Sequence, residues 1–265
     1  MSDMSSQFGA AGGGARLPEI RTIRADAPWV WLARGWADMS SVPAISLAYG
    51  VGFFLISLLL VCALFLFNLG ALVPVMAAGF LLVGPMLAVG MYEASRRVEA
   101  DLPVRLADVA FVSTRSPAQL AFLGAMLMGA MLIWVRIATL LFALFFGTQT
   151  MPQLDEFVPA LLLTPHGLGL LVVGTVVGGA LAFICFAISV VSVPMLMARD
   201  VDAVTAALTS IETVRRNFWP MMIWGWIIAF FTAFGIATLF VGLIVVFPLL
   251  GHATWHAYRA LVAES

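Results

Sequence analysis

Two stretches of the chain decide its reading: VGPMLAVGMYEASR, Val83–Arg96, and VFPLLGHATWHAYR, Val246–Arg259. Aligned on one another, they place Gly79 opposite Gly242, Pro85 opposite Pro248, Leu87 opposite Leu250, Tyr92 opposite Trp255, Ala94 opposite Ala257 and Arg96 opposite Arg259. Each closes a long apolar run on a polar, arginine-bearing tail. About 20 apolar residues cross a bilayer as a helix, so each stretch reads as a place where the chain leaves the membrane. The repeat speaks about architecture and carries no chemistry.

Composition agrees. Hydrophobic residues make up 63% of the chain and charged residues 10%, with a mean hydropathy of +1.07, whereas soluble domains carry roughly a quarter charged residues. The polypeptide is therefore mostly membrane. A net charge of -1 gives no reason to expect nucleic acid as a partner. Cys62 and Cys185 each sit alone in an apolar run and read as small hydrophobes, with neither disulfide nor zinc spacing.

Working outward from the repeat, the expected fold is all-α: a polytopic transmembrane bundle of six spans in three hairpins. The spans fall at about residues 44–67, 71–91, 118–146, 166–197, 219–237 and 242–260. Residues 1–24, rich in Ser, Gly and Ala, read as a disordered tail, and 261–265 as a short second one. No apolar core of a cleaved signal peptide precedes position 43, so the first span targets the chain. Within 25–42, Asp26 can cap a helix whose Trp29, Leu32, Trp36 and Met39 share a face. It either lies along the membrane surface or docks on the protein's own loops. Asn68, Leu69 and Gly70 turn the first hairpin, and Pro152, Asp155, Glu156 and Pro159 mark an outer loop. Thr164 and Pro165 start the fourth span. The final apolar block, Trp219–Ala260, is twice the length of one span. Read as one tilted helix it gives five crossings; split near Thr238–Gly242, as the match between the Pro85 and Pro248 segments favours, it gives six.

Charge sets the orientation. The chain has no Lys, and every Arg but Arg136 lies in the tails or in the linkers after spans two and four. The positive-inside rule then places both termini in the cytoplasm. Pro43, Pro117 and Pro220 precede the odd spans, while Pro85, Pro194 and Pro248 sit within the even ones, a pattern of tandem hairpins. Both linkers read as amphipathic helices, one with the stripe Leu102, Leu106 and Val109, the other with Val201, Val204, Leu208 and Ile211. Gly174 and Gly178 form a GxxxG on span four, and Ala121, Ala125 and Gly129 line up on span three. These small residues predict close packing of spans three and four, or association with another membrane protein or a second copy.

The strings GFLLVGPMLAVGMYEASRR (Gly79–Arg97), MARDVDAVTAAL (Met197–Leu208) and GHATWHAYR (Gly251–Arg259) resemble an uncharacterised family of bacterial integral membrane proteins, a domain-of-unknown-function group. GHATWHAYR is the most specific of the three. The resemblance extends over most of the chain beyond about residue 20 and implies a multi-pass protein of the bacterial cytoplasmic (inner) membrane. It implies no activity.

Chemically interesting positions are few. Arg136 lies within the third span, where a charge costs about 2.5 to 3.5 kcal/mol on insertion scales. It either serves an anion, proton or ion-pair site or snorkels to the outer headgroups. His252 and His256, four residues apart on one helix face, can bind a metal or haem, act as a pH switch, or sit in an interfacial polar belt with Trp255 and Tyr258. Glu93 corresponds to His256 in the other copy of the repeat. No P-loop, dinucleotide fingerprint, nucleophile elbow or HExxH motif occurs, so no enzyme chemistry and no cofactor are expected. Three functions remain: a non-catalytic membrane subunit or accessory factor, a small-solute transporter or channel with Arg136 lining the path, and a haem- or metal-binding protein using His252 and His256.

Overall fold

The computed structural model describes residues 18–147 and 154–263, the side chains of Leu154 and Asp155 excepted. Five helical runs are long and apolar enough to cross a bilayer: Pro43–Leu66, Gly70–Glu99, Pro117–Phe146, Pro165–Ala198 and Phe218–Ala237. The first is α2. The second divides into a 3-10 turn at Gly70–Leu72, α3 (Val73–Leu87) and α4 (Val89–Glu99). The third is α6, the fourth divides into α8 (Pro165–Ser189) and α9 (Ser192–Ala198), and the fifth is α11. Shorter helices are α1 (Ala27–Ser41), α5 (Leu106–Ala110), α7 (Leu154–Leu163) and α10 (Ala203–Arg216).

The last apolar block divides where expected. Leu239 and Phe240 turn through left-handed backbone, at φ 54° and 67°, and the Thr238 hydroxyl accepts from the Gly242 amide at 2.9 Å. From there α12 (Leu243–Leu261) doubles back along α11. The expected sixth span at 242–260 is helical but is not among the five runs apolar enough to count as a crossing. Its second half carries His252, Thr254, His256, Tyr258 and Arg259, so it falls short of the apolarity of the other five. It is instead the central helix, with α1, α2, α4 and α11 packed around it.

Prolines and glycines make that packing possible. Pro248 has no amide to offer the Ile244 carbonyl four residues earlier, and Gly50 of α2 lies directly over that carbonyl, where any Cβ would collide with it. Gly35 of α1 makes a similar approach: an added Cβ would sit 2.6 Å from the Ala253 nitrogen. Pro85 lies just before the break between α3 and α4. The Met91 amide there bonds to Ala88, and the Leu87 carbonyl accepts instead from the Tyr49 hydroxyl of α2 at 2.7 Å. At the α8–α9 break, Ser210 of α10 accepts from the Val191 amide at 3.1 Å. Hydroxyls from neighbouring helices thus satisfy backbone groups at both breaks.

Sequence-adjacent spans do not all form packed hairpins. α2 packs mainly on α12, while α3 packs on α6 and α8. Segment 154–163, expected as loop, is helical, with Pro159 inside it. Pro152 and the Asp155 side chain lie outside the described residues.

Residues 1–17 of the expected tail lie outside the described residues, but its end is docked: Ile20 bridges Val262, the Arg21 amide bonds to the Leu261 carbonyl, and Asn217 accepts from the Ile23 amide at 2.9 Å. These contacts also bring the end of α12 back beside the start of α11. Helix α1 buries Trp31, Gly35 and Met39 against the bundle and exposes Trp29 and Trp36, because the glycine lets α12 approach that side. Asp26 stands at its N-cap without a side-chain capping bond. On α6, Leu120, Leu123 and Leu127 face inward while Ala121 and Ala125 face out.

The linker helices are also turned outward. Asp202 caps α10 by accepting from the Thr205 amide at 2.9 Å. The buried face of α10 is Ala203, Ala206, Thr209, Ser210 and Thr213, and its apolar stripe of Val204, Leu208 and Ile211 is exposed. In the other linker Val109 is buried while Leu102 and Leu106 are exposed.

Candidate functional site

The described residues gather their polar chemistry where the α12 tail meets α1, α2 and α4. His252 has no exposed surface and neither do Ser46 and Ser95. The Ser46 Oγ lies 2.9 Å from its Nε2 and the Ser95 Oγ 2.7 Å from its Nδ1. A neutral imidazole donates from one nitrogen and accepts at the other, and a hydroxyl serves either role, so the ring is fully satisfied without a charge. The helices brought together are α2 through Ser46, α4 through Ser95 and α12 through His252.

One turn further on, His256 Nε2 lies 2.8 Å from Asp38 Oδ2 of α1. Burial pushes the Asp38 carboxyl up, but hydrogen bonds with His256 and Ser95 outweigh it and hold the group below its ordinary value. Glu93, 4% exposed, accepts from Arg96 and Arg97 at 2.7 Å, and Arg97 continues to Asp108 at 2.9 Å. Glu99 accepts from the Trp255 indole at 3.0 Å and pairs with Arg259 at 3.2 Å. Trp255 and Tyr258, each 2% exposed, are interior groups and not the interfacial belt expected of them, because α1, α4 and α9 close over that end of α12.

The two histidines therefore do not converge. His252 is held between serines and His256 by an aspartate, and among the described residues no three His, Cys, Asp or Glu side chains cluster as a metal site. Glu93 engages arginines and not a histidine. Ser46 and Ser95 were missed from the sequence, where a lone Ser within a helix carries no signal until the fold sets it against a ring. Arg136 stands apart, exposed on α6 beside exposed Leu132, Ile133 and Leu140. Glu156 is exposed as well.

A second feature is apolar. A crevice of about 590 Å³ runs between α3, α6, α8 and α11, with α7 at one end. Gly174 and Gly178 of the GxxxG both line it, Gly178 against the Trp134 ring and Gly174 against open space. The Trp134 indole donates to the Val75 carbonyl at 2.8 Å. Arg136 is not among the lining residues.

Comparison with known proteins places the fold in context. Residues 72–198 match the family model of a predicted integral membrane protein, DUF2189. This is the uncharacterised membrane family that the sequence resembles. The matched stretch runs from α3 through α9 and so includes GFLLVGPMLAVGMYEASRR, whereas GHATWHAYR lies beyond it. Neither a curated protein nor a solved structure is similar to the chain. The protein is thus an integral membrane protein, built from apolar helices suited to a lipid bilayer.

Proposed function

We propose that the protein is a non-catalytic subunit or accessory factor of the bacterial cytoplasmic membrane, working by packing against lipid and a membrane-protein partner. The observation that carries this reading is the closure of its polar cluster. His252, Ser46 and Ser95 are sealed from solvent and satisfied by one another, while Glu93 and Asp38 are committed to neighbouring side chains. A general base or nucleophile needs a reacting atom within reach, and the sealed space around His252, Ser46 and Ser95 leaves none room to enter.

In this reading α12 makes a sixth crossing and both termini lie in the cytoplasm. The arginine bias supports that orientation, as does the pairing of Ile20 with Val262 beside Asn217. The exposed stripe of α10 then rests on the inner headgroup layer, with Arg215 and Arg216 toward lipid phosphates. Glu212, hydrogen-bonded to both arginines, has its carboxyl held well below the usual carboxylate range.

Affinity purification of the full chain in mild detergent, followed by mass spectrometry, tests the proposal. A membrane protein recovered in stoichiometric amount is the expected result. A lone protein that, once reconstituted, carries a solute flux abolished by Arg136→Ala would overturn it.

A further inference from the structure

We infer that the crevice between α8 and α11 is a binding site for a single acyl chain of a membrane phospholipid, which enters sideways from the bilayer. This stands apart from the accessory role proposed above. α8 packs on α6 and α7, α11 packs on α12, and the gap between them is walled at the back by α3 and α6. Every lining residue but Thr175 is apolar or glycine, and the indole of Trp134 is already occupied by a backbone carbonyl. Beyond the Thr175 hydroxyl and the Trp226 indole, ions, headgroups and polar solutes find no partner there.

Shape chooses among the apolar occupants. Along α8 the lining runs from Leu170 to Phe186, about 24 Å at the helical rise. The volume of about 590 Å³ spread over that length leaves a slot wide enough for a polymethylene chain and narrower than the about 10 Å that a helix with its side chains needs. Gly174 and Gly179 leave the width open, since an added Cβ at either meets no atom within 4 Å. A gap of this size within hydrocarbon forfeits the dispersion contacts of its walls unless it is filled, and the bilayer supplies acyl chains on every side. Enclosure by several helices distinguishes this chain from lipid lying along the outer surface of α2, where Leu59 is 69% exposed.

The test places the full-length protein in nanodiscs of phosphatidylethanolamine and phosphatidylglycerol containing a phospholipid with a diazirine in its acyl chain. After irradiation, adducts are mapped by mass spectrometry. Labelling concentrated on Thr175, Phe183 and Met222 over Leu59 is expected, with loss of the crevice adducts and retention of the Leu59 adduct in a Gly174→Leu/Gly179→Leu variant. Crevice labelling no greater than at Leu59 in the wild type overturns the proposal, whether or not the variant folds. So does labelling that survives filling of the crevice.

Discussion

At the arginine-rich end of the bundle, α12 carries a histidine into a space so well filled that both ring nitrogens touch serine hydroxyls. Alongside α8, a gap of about 590 Å³ is lined by glycine, leucine and phenylalanine and offers almost nothing to hydrogen-bond. The first region is polar and closed, the second apolar and open. Water explains the contrast. Where none can enter, each buried polar group must find a protein partner, so polarity forces tight, specific packing. An apolar gap within a bilayer carries no such requirement, because lipid tails solvate it as well as leucine does.

The contrast can be broken most forcibly at α2. Gly50→Leu drives a side chain into the Ile244 carbonyl and is expected to destabilise the protein by about 3 kcal/mol or more, read as thermal unfolding in detergent. Gly52→Leu, two residues on at a position open to space, is the matched control. Equal losses from the two would show that α2 does not pack on α12 as described.

Next in size is His252→Ala, which leaves a small cavity and deprives the Ser46 and Ser95 hydroxyls of the ring, at a cost of about 2 to 4 kcal/mol. Adding Ser46→Ala and Ser95→Ala removes the hydroxyls that faced the ring and should restore part of that loss. A triple variant no better than the single one would mean that the serines and the ring are not coupled.

A smaller effect belongs to pH. The Asp38 carboxyl sits below its ordinary value in the folded protein, so its contact with α12 contributes stability above about pH 4, the unfolded value, and loses it as pH falls through the folded one. Asp38→Asn should flatten the acid side of the stability curve and leave neutral pH less affected. An acid limb unchanged by the substitution would remove Asp38 as its source. Smallest of all is Gly174→Ala, which adds a methyl where nothing is met within 4 Å and gains helix propensity. Its melting temperature should be unchanged or raised, by no more than about 1 kcal/mol of stability. A marked loss would mean the crevice is already filled by protein.

Much of the fold was legible in the residues. Long apolar runs bounded by Asn68–Gly70, by Thr164 and Pro165 and by Thr238–Gly242 give helix positions that the structure reproduces closely, because hydropathy and turn chemistry are local. The inward faces were not legible. Trp29, Leu32, Trp36 and Met39 share the apolar face of α1, yet the buried side is that of Trp31, Gly35 and Met39. The site was legible only as isolated letters: His252, His256 and Glu93 were singled out, but their partners Ser46, Ser95, Asp38 and Arg97 come from other helices or other turns.

What the sequence determined by itself was that this chain belongs in a bilayer, where most of its helices begin and end, and that its arginines crowd into tails and linkers. Only the tertiary structure decided which faces meet, that α12 is the hub, and that α8 and α11 stand apart. The reason lies in the solvent. In water an apolar stripe must turn inward, so its periodicity reveals the buried side. In hydrocarbon leucine is equally at home on either side, and the choice passes to close approach at Gly35 and Gly50 and to the few polar groups that must find one another.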